Sequence, residues 1–161
     1  MAVIRQNPVL ALIVAQKYLR LIMCLAMYLF TNDALLGPSW IGSNPRMFVE
    51  EVLPKQKSRA LNWHHTERHV YYIGSYQGCG CGWQTSFEGE DIAEKRLRAA
   101  DRERLANLVA SLKDQSSWLV VCWDGDQGVD LLPPVWVQPN EINDTAFEFE
   151  ELREYRVSGR A

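Results

Sequence analysis

The chain has 161 residues, of which 47% are hydrophobic and 23% are charged, and its formal net charge is −3. This length and balance are typical of one folded domain and argue against disorder. The small negative charge and the lack of a dense basic run disfavour nucleic-acid binding across a basic surface. The four cysteines are too few and too scattered for a disulfide scaffold, but four thiolates would fill one tetrahedral metal site.

From Pro8 to Phe30 the chain is mostly apolar, but Gln16, Lys17 and Arg20 interrupt this segment near its middle. Two cations near the centre of a bilayer span would cost about 2.5–3.5 kcal/mol each, so no membrane span is expected. No signal-peptide cleavage site follows, which favours a cytoplasmic protein, and the apolar spacing favours an N-terminal helix. A second interpretation treats residues 1–22 as an extension from a mis-assigned start, with Met23 as the true first residue.

The remaining chain alternates apolar runs with turn-rich segments. Strands are predicted at 23–31, 46–52, 69–75 and 118–124, with a further short strand around 83–85. Residues 129–137 are extended, and Pro133 and Pro134 restrict them to a sheet edge or a broken strand. Alternating phenylalanine and glutamate predict a half-buried edge strand within 146–157. Residues 33–46 and 53–68 are expected to be loops.

One long amphipathic helix is predicted at about 91–113. Its apolar face is formed by Leu97, Leu105, Leu108, Val109 and Leu112. Asp91 and Glu94 supply an acidic first turn. The order of elements predicts a single α+β domain over residues 23–157, with a mostly antiparallel sheet.

The segment Gly-Cys-Gly-Cys-Gly at 78–82 is the strongest candidate for chemistry. In an extended chain the Cα atoms of Cys79 and Cys81 would lie about 6.6 Å apart, near the upper limit for a disulfide. The glycines would instead allow the segment to curl and direct both sulfurs to one point. A C-x-C pair is tighter than the usual C-x₂₋₄-C zinc pair and lacks the C-x-x-C spacing of redox motifs.

A zinc or iron site would therefore need further ligands from elsewhere in the chain. The candidates are Cys24, Cys122 and His69. The alternative for Cys24 and Cys122 is packing as small apolar side chains within strands, and for the three histidines a solvated polar loop. The aspartates at 124–130 have turn spacing and do not match a calcium loop.

Three segments of the chain, 23–36, 69–83 and 122–128, are similar to segments of a known group of proteins. Together they resemble a group of short bacterial proteins of uncharacterised function, which begin at Met-Cys-Leu-Ala and carry a Gly-Cys-x-Cys-Gly-aromatic segment. The resemblance covers residues 23–157 and implies one cytosolic domain, without an activity, cofactor or catalytic residue.

Three functions follow from these observations. The first is a non-enzymatic binding or accessory domain whose aromatic-rich sheet contacts a protein partner or a second copy. The second is a thiolate metal-binding protein using Cys79 and Cys81. The third is a thiol enzyme using Cys24 or Cys79, where Cys24 could act as an N-terminal nucleophile only after a start at Met23 and removal of that methionine.

Overall fold

A computed structural model describes residues 24–52, 67–84, 91–113, 116–144 and 146–157. The strands are β1 (Leu25–Thr31), β2 (Phe48–Glu51), β3 (His69–Gly74), β4 (Ser117–Trp123), β5 (Leu132–Val137) and β6 (Arg153–Val157). The helices are α1 (Ile92–Ser111) and the short α2 (Pro139–Asn143), and a 3₁₀ turn spans Gly80–Trp83. The described residues therefore confirm an α+β fold with one long helix.

The six strands form one sheet in the order β2-β3-β1-β4-β6-β5. Every neighbouring pair is antiparallel except β5 and β6, which run parallel. The central strands β1 and β4 are buried along nearly their whole length, which is why their sequences are continuous apolar runs. The proline-containing β5 lies at the edge, as predicted from its missing N–H donors.

Helix α1 covers one face of the sheet and completes the main core. Leu105, Val109 and Leu112 are buried against the inward residues of the central strands. The helix begins with a capping box, in which the Asp91 carboxylate accepts from Glu94 N–H at 2.8 Å. The acidic pair noted in the sequence thus fixes the first turn of α1.

Three details of the sequence-based assignment are wrong. Residues 147–150 are not in a strand, and β6 begins only at Arg153, between β4 and β5 rather than at an edge. Trp83 belongs to the 3₁₀ turn and not to a strand. Leu97 is 36% exposed, so it does not belong to the buried face of α1.

Some predictions lie outside the described residues. These are the N-terminal helix within 1–22 and the loop at 53–66 with His64 and His65. Within the part of the chain that the structure describes, no helix is long and apolar enough to cross a membrane.

Candidate metal centre

The glycine-cysteine segment curls tightly after β3. Ser75 closes the curl by donating hydrogen bonds to the carbonyl of Cys79 from its N–H (2.8 Å) and its hydroxyl (2.6 Å). Gly78 has φ +78°, a conformation that a side chain would strain. The 3₁₀ turn that follows carries Cys81. Glycine here therefore turns the chain, as its freedom at positive φ predicts.

Gly80 lets this turn lie directly on the start of β1. A Cβ atom at Gly80 would lie 2.6 Å from the carbonyl oxygen of Leu25, so only glycine permits the approach. The same contact places the Cys81 sulfur 3.2 Å from the Leu25 backbone nitrogen, which donates to it. Because Cys24 immediately precedes Leu25, the approach also brings the third cysteine to the turn.

The sulfurs of Cys24, Cys79 and Cys81 all lie within 4.8 Å of one another. All three are free thiols, Cys24 being exposed and the other two half-buried. They form the only such group of histidine, cysteine, aspartate and glutamate ligand atoms within the described ranges. The two segments that supply the sulfurs are 55 residues apart in sequence, so this convergence results from tertiary packing.

The environment of Cys81 stabilises a thiolate. Its pKa is lowered to about 6, chiefly because the Cys79 thiol donates a hydrogen bond to its sulfur; donation from Leu25 N–H adds to the shift, and partial burial opposes it. Conversely, the pKa of Cys79 is raised, first because its thiol is the donor in that hydrogen bond and then because of burial. Cys81 is therefore the more acidic of the two thiols.

Two buried charged residues of α1 hold the ends of the turn. The Asp101 carboxylate accepts from Tyr76 N–H at 2.6 Å and from Met47 N–H at 2.8 Å. The Arg102 guanidinium donates to the Trp83 carbonyl at 3.0 Å. Asp101 and Arg102 are 0% and 1% exposed, so these bonds are shielded from water. The helix therefore fixes both ends of the segment 76–83, which we call the cysteine turn.

Sequence reasoning did not identify Asp101 and Arg102 as residues that support the site. A signal was present, since Asp101 precedes Leu105 and Val109 by four and eight residues and so shares their buried helix face. A charged residue on such a face needs a specific partner, because burying it alone is costly. The partners of Asp101 are the backbone N–H groups of Met47 and Tyr76 and the guanidinium of Arg104.

The other predicted ligands lie elsewhere. Cys122 is fully buried in β4 among apolar side chains, and burial raises its pKa to about 12. It is not a member of the three-sulfur group, and its surroundings agree with packing as a small apolar residue. His69 begins β3, at the opposite end from the cysteine turn, with Nδ1 2.9 Å from Glu51 Oε1. Cys24 differs from expectation, because it lies just before β1 and is exposed.

Comparison with known proteins identified no relative of this chain. The sequence matches no protein-family model and no curated protein, and the fold matches no solved structure.

Proposed function

We propose that this chain is a non-enzymatic metal-binding domain that holds one thiophilic ion through Cys24, Cys79 and Cys81. The observation that carries the proposal is the convergence of three sulfurs from two distant segments to within 4.8 Å of one another. Zinc is the favoured ion, since thiolate sulfur is its preferred protein ligand, and iron is the alternative.

The spacing of the sulfurs supports this proposal. With zinc–sulfur bonds of about 2.3 Å and tetrahedral angles, ligand sulfurs lie about 3.8 Å apart. Closing the group from 4.8 Å or less to that spacing requires movements of no more than about 1 Å, which side-chain rotation can supply. The exposed Cys24 is free to make such a movement.

The electrostatics of the group also suit a metal. Metal ligation requires thiolates, and Cys81 already has a depressed pKa and a backbone N–H donor on its sulfur. The thiols that are still protonated would lose their protons when the ion binds, so that binding releases protons and strengthens as the pH rises. Three thiolates leave one position of a tetrahedral zinc ion for water or another ligand.

The test is metal content and affinity in the reduced full-length protein. We expect about one zinc or iron ion per chain by elemental analysis, and competition with a chromophoric chelator gives the affinity. C79S and C81S are expected to lower the affinity at least about 10-fold. C122A is the matched control, because Cys122 lies outside the group and its replacement should leave the affinity unchanged.

A thiol enzyme is a second candidate, favoured by one observation. The pKa of Cys81, lowered to about 6, is the property that a nucleophilic cysteine requires at neutral pH. Covalent trapping distinguishes the two functions. An electrophile that modifies Cys81 and is then turned over by the protein would favour an enzyme, whereas modification that only abolishes metal binding would favour the metal site.

A further inference from the structure

A cavity of about 330 Å³ lies on the face of the sheet opposite α1. Tyr28 of β1 and Tyr72 of β3 line it, and their rings meet edge to face with centroids 5.8 Å apart. Glu50 of β2 pairs directly with Tyr72 across the sheet, and Tyr72 pairs with Tyr28. The register thus aligns one carboxylate and two aromatic rings in a row across three strands.

Apart from Val52, the rest of the described lining is polar or acidic. Besides Glu50, it includes Asp124, Gln127 and Glu51, whose Oε1 lies 2.9 Å from His69 Nδ1. Gln127 is held in place by donating to Tyr28 Oη at 3.1 Å and to Asp124 Oδ1 at 3.0 Å. Among the described lining residues there is no lysine or arginine, so the lining favours a positively charged ligand.

The arrangement of the carboxylates argues against a bare metal ion. Within the described residues the three cysteines are the only group of three or more possible ligand residues whose ligand atoms lie within 4.8 Å of one another, so these acidic groups do not converge on a single point. Carboxylates spread around two aromatic rings match a larger cation, whose charge can contact an oxygen while its carbon chain lies on a ring face.

We infer that this cavity binds a small organic cation, of the primary amine or guanidine class. The ammonium or guanidinium group contacts Glu50 or Asp124, and the apolar part packs against Tyr28 and Tyr72. Tyr72 lies within electrostatic reach of the three cysteines, so the ligand would bind beside them. The inference stands whether or not the sulfurs hold a metal.

The test uses cadaverine (1,5-diaminopentane) as the probe on the full-length protein, with excess chelator present so that the amine cannot ligate a metal. Its neutral and anionic counterparts of equal length, 1,5-pentanediol and glutarate, are the matched ligand controls. Binding is followed by ¹⁵N–¹H NMR titration at pH 7, which reports both affinity and location. We expect cadaverine to shift the amide signals of Glu50, Tyr72, Asp124 and Gln127, and the two controls to have no effect there.

Variants provide the second half of the test. The double variant E50Q/D124N keeps the shape of both side chains and is expected to weaken cadaverine binding at least about 10-fold, which corresponds to 1.4 kcal/mol. E103Q removes an exposed charge on α1, away from the cavity, and should have no effect. An unchanged NMR fingerprint confirms that each variant is folded. Equal binding of pentanediol, shifts spread over the surface, or an unaffected E50Q/D124N would overturn the inference.

Discussion

Replacing Asp101 with asparagine should weaken both the fold and the cysteine turn. In the native protein Oδ1 accepts from Met47 N–H and from Arg104 at 2.8 Å each, and Oδ2 accepts from Tyr76 N–H at 2.6 Å. Asparagine has only one acceptor oxygen, so its amide nitrogen must face one of the two backbone N–H groups. One hydrogen bond to a charged group is lost, which costs about 1.5–3 kcal/mol.

A second effect opposes this loss. Burial raises the pKa of the Asp101 carboxyl, which means that a neutral side chain is easier to bury there. We therefore expect D101N to lower the free energy of unfolding by about 2 kcal/mol. With an m value of about 1–3 kcal/mol per molar urea, the unfolding midpoint should fall by about 1 M.

The consequence for the site distinguishes this prediction from a general loss of stability. Tyr76 begins the cysteine turn, so the loss of its hydrogen bond to Asp101 would leave the turn less ordered before metal binding. Ordering the turn would then cost free energy when the metal binds. We therefore expect D101N to weaken metal affinity by about 10- to 100-fold, as is usual when a residue that orients metal ligands is replaced. E103Q on the same helix is the control. The reasoning is refuted if D101N matches E103Q in urea unfolding, or if stability falls while metal affinity stays unchanged.

Two further predictions concern the turn itself. G80A should lower the free energy of unfolding by about 1–3 kcal/mol, because the new Cβ would lie 2.6 Å from the Leu25 carbonyl oxygen. G42A is the control and should be close to neutral, since a Cβ at Gly42 would have no atom within 4 Å. Equal urea midpoints for the two variants would contradict the close packing of Gly80 on Leu25. In the metal-free protein, alkylation of Cys81 by iodoacetamide should have its midpoint near pH 6, read by peptide mass spectrometry, and a midpoint near the usual value of about 8.5 would contradict the lowered pKa. Because the folded pKa is depressed, this ionisation contributes stability above the unfolded pKa, and that contribution is lost as the pH falls through 6.

The strands and the long helix were predictable because their signals are local. β1 and β4 are buried on both faces and therefore read as continuous apolar runs. The helix α1 carries its own capping box at Asp91 and Glu94. In each case the residues that identify the element are adjacent in sequence.

The error at β6 has a physical explanation. Phe147 and Phe149 alternate like strand residues, but they pack edge to face at 5.0 Å with each other, and Tyr155 joins them. Leu152 then adopts φ +54°, which breaks the extended chain before β6. The alternation of aromatic residues that is typical of a strand thus comes here from a packed aromatic cluster in a loop.

The site was predictable only in part. The glycines around Cys79 and Cys81 predicted a curled segment with two thiols on one side, and the structure contains such a curl after β3. Which distant cysteine joins them depends on where the turn lies, and the contact between Gly80 and Leu25 that decides it is tertiary. Spacing alone therefore could not separate Cys24 from Cys122.

The most direct test of the central claim is a metal titration of the reduced protein with Cd²⁺, followed by thiolate-to-metal charge-transfer absorption. We predict one ion per chain with the absorption of three thiolates, a smaller signal in C24S, C79S and C81S, and a full signal in C122A. No charge-transfer band in the wild-type protein, or a band that depends on Cys122 and survives C79S, would contradict the account.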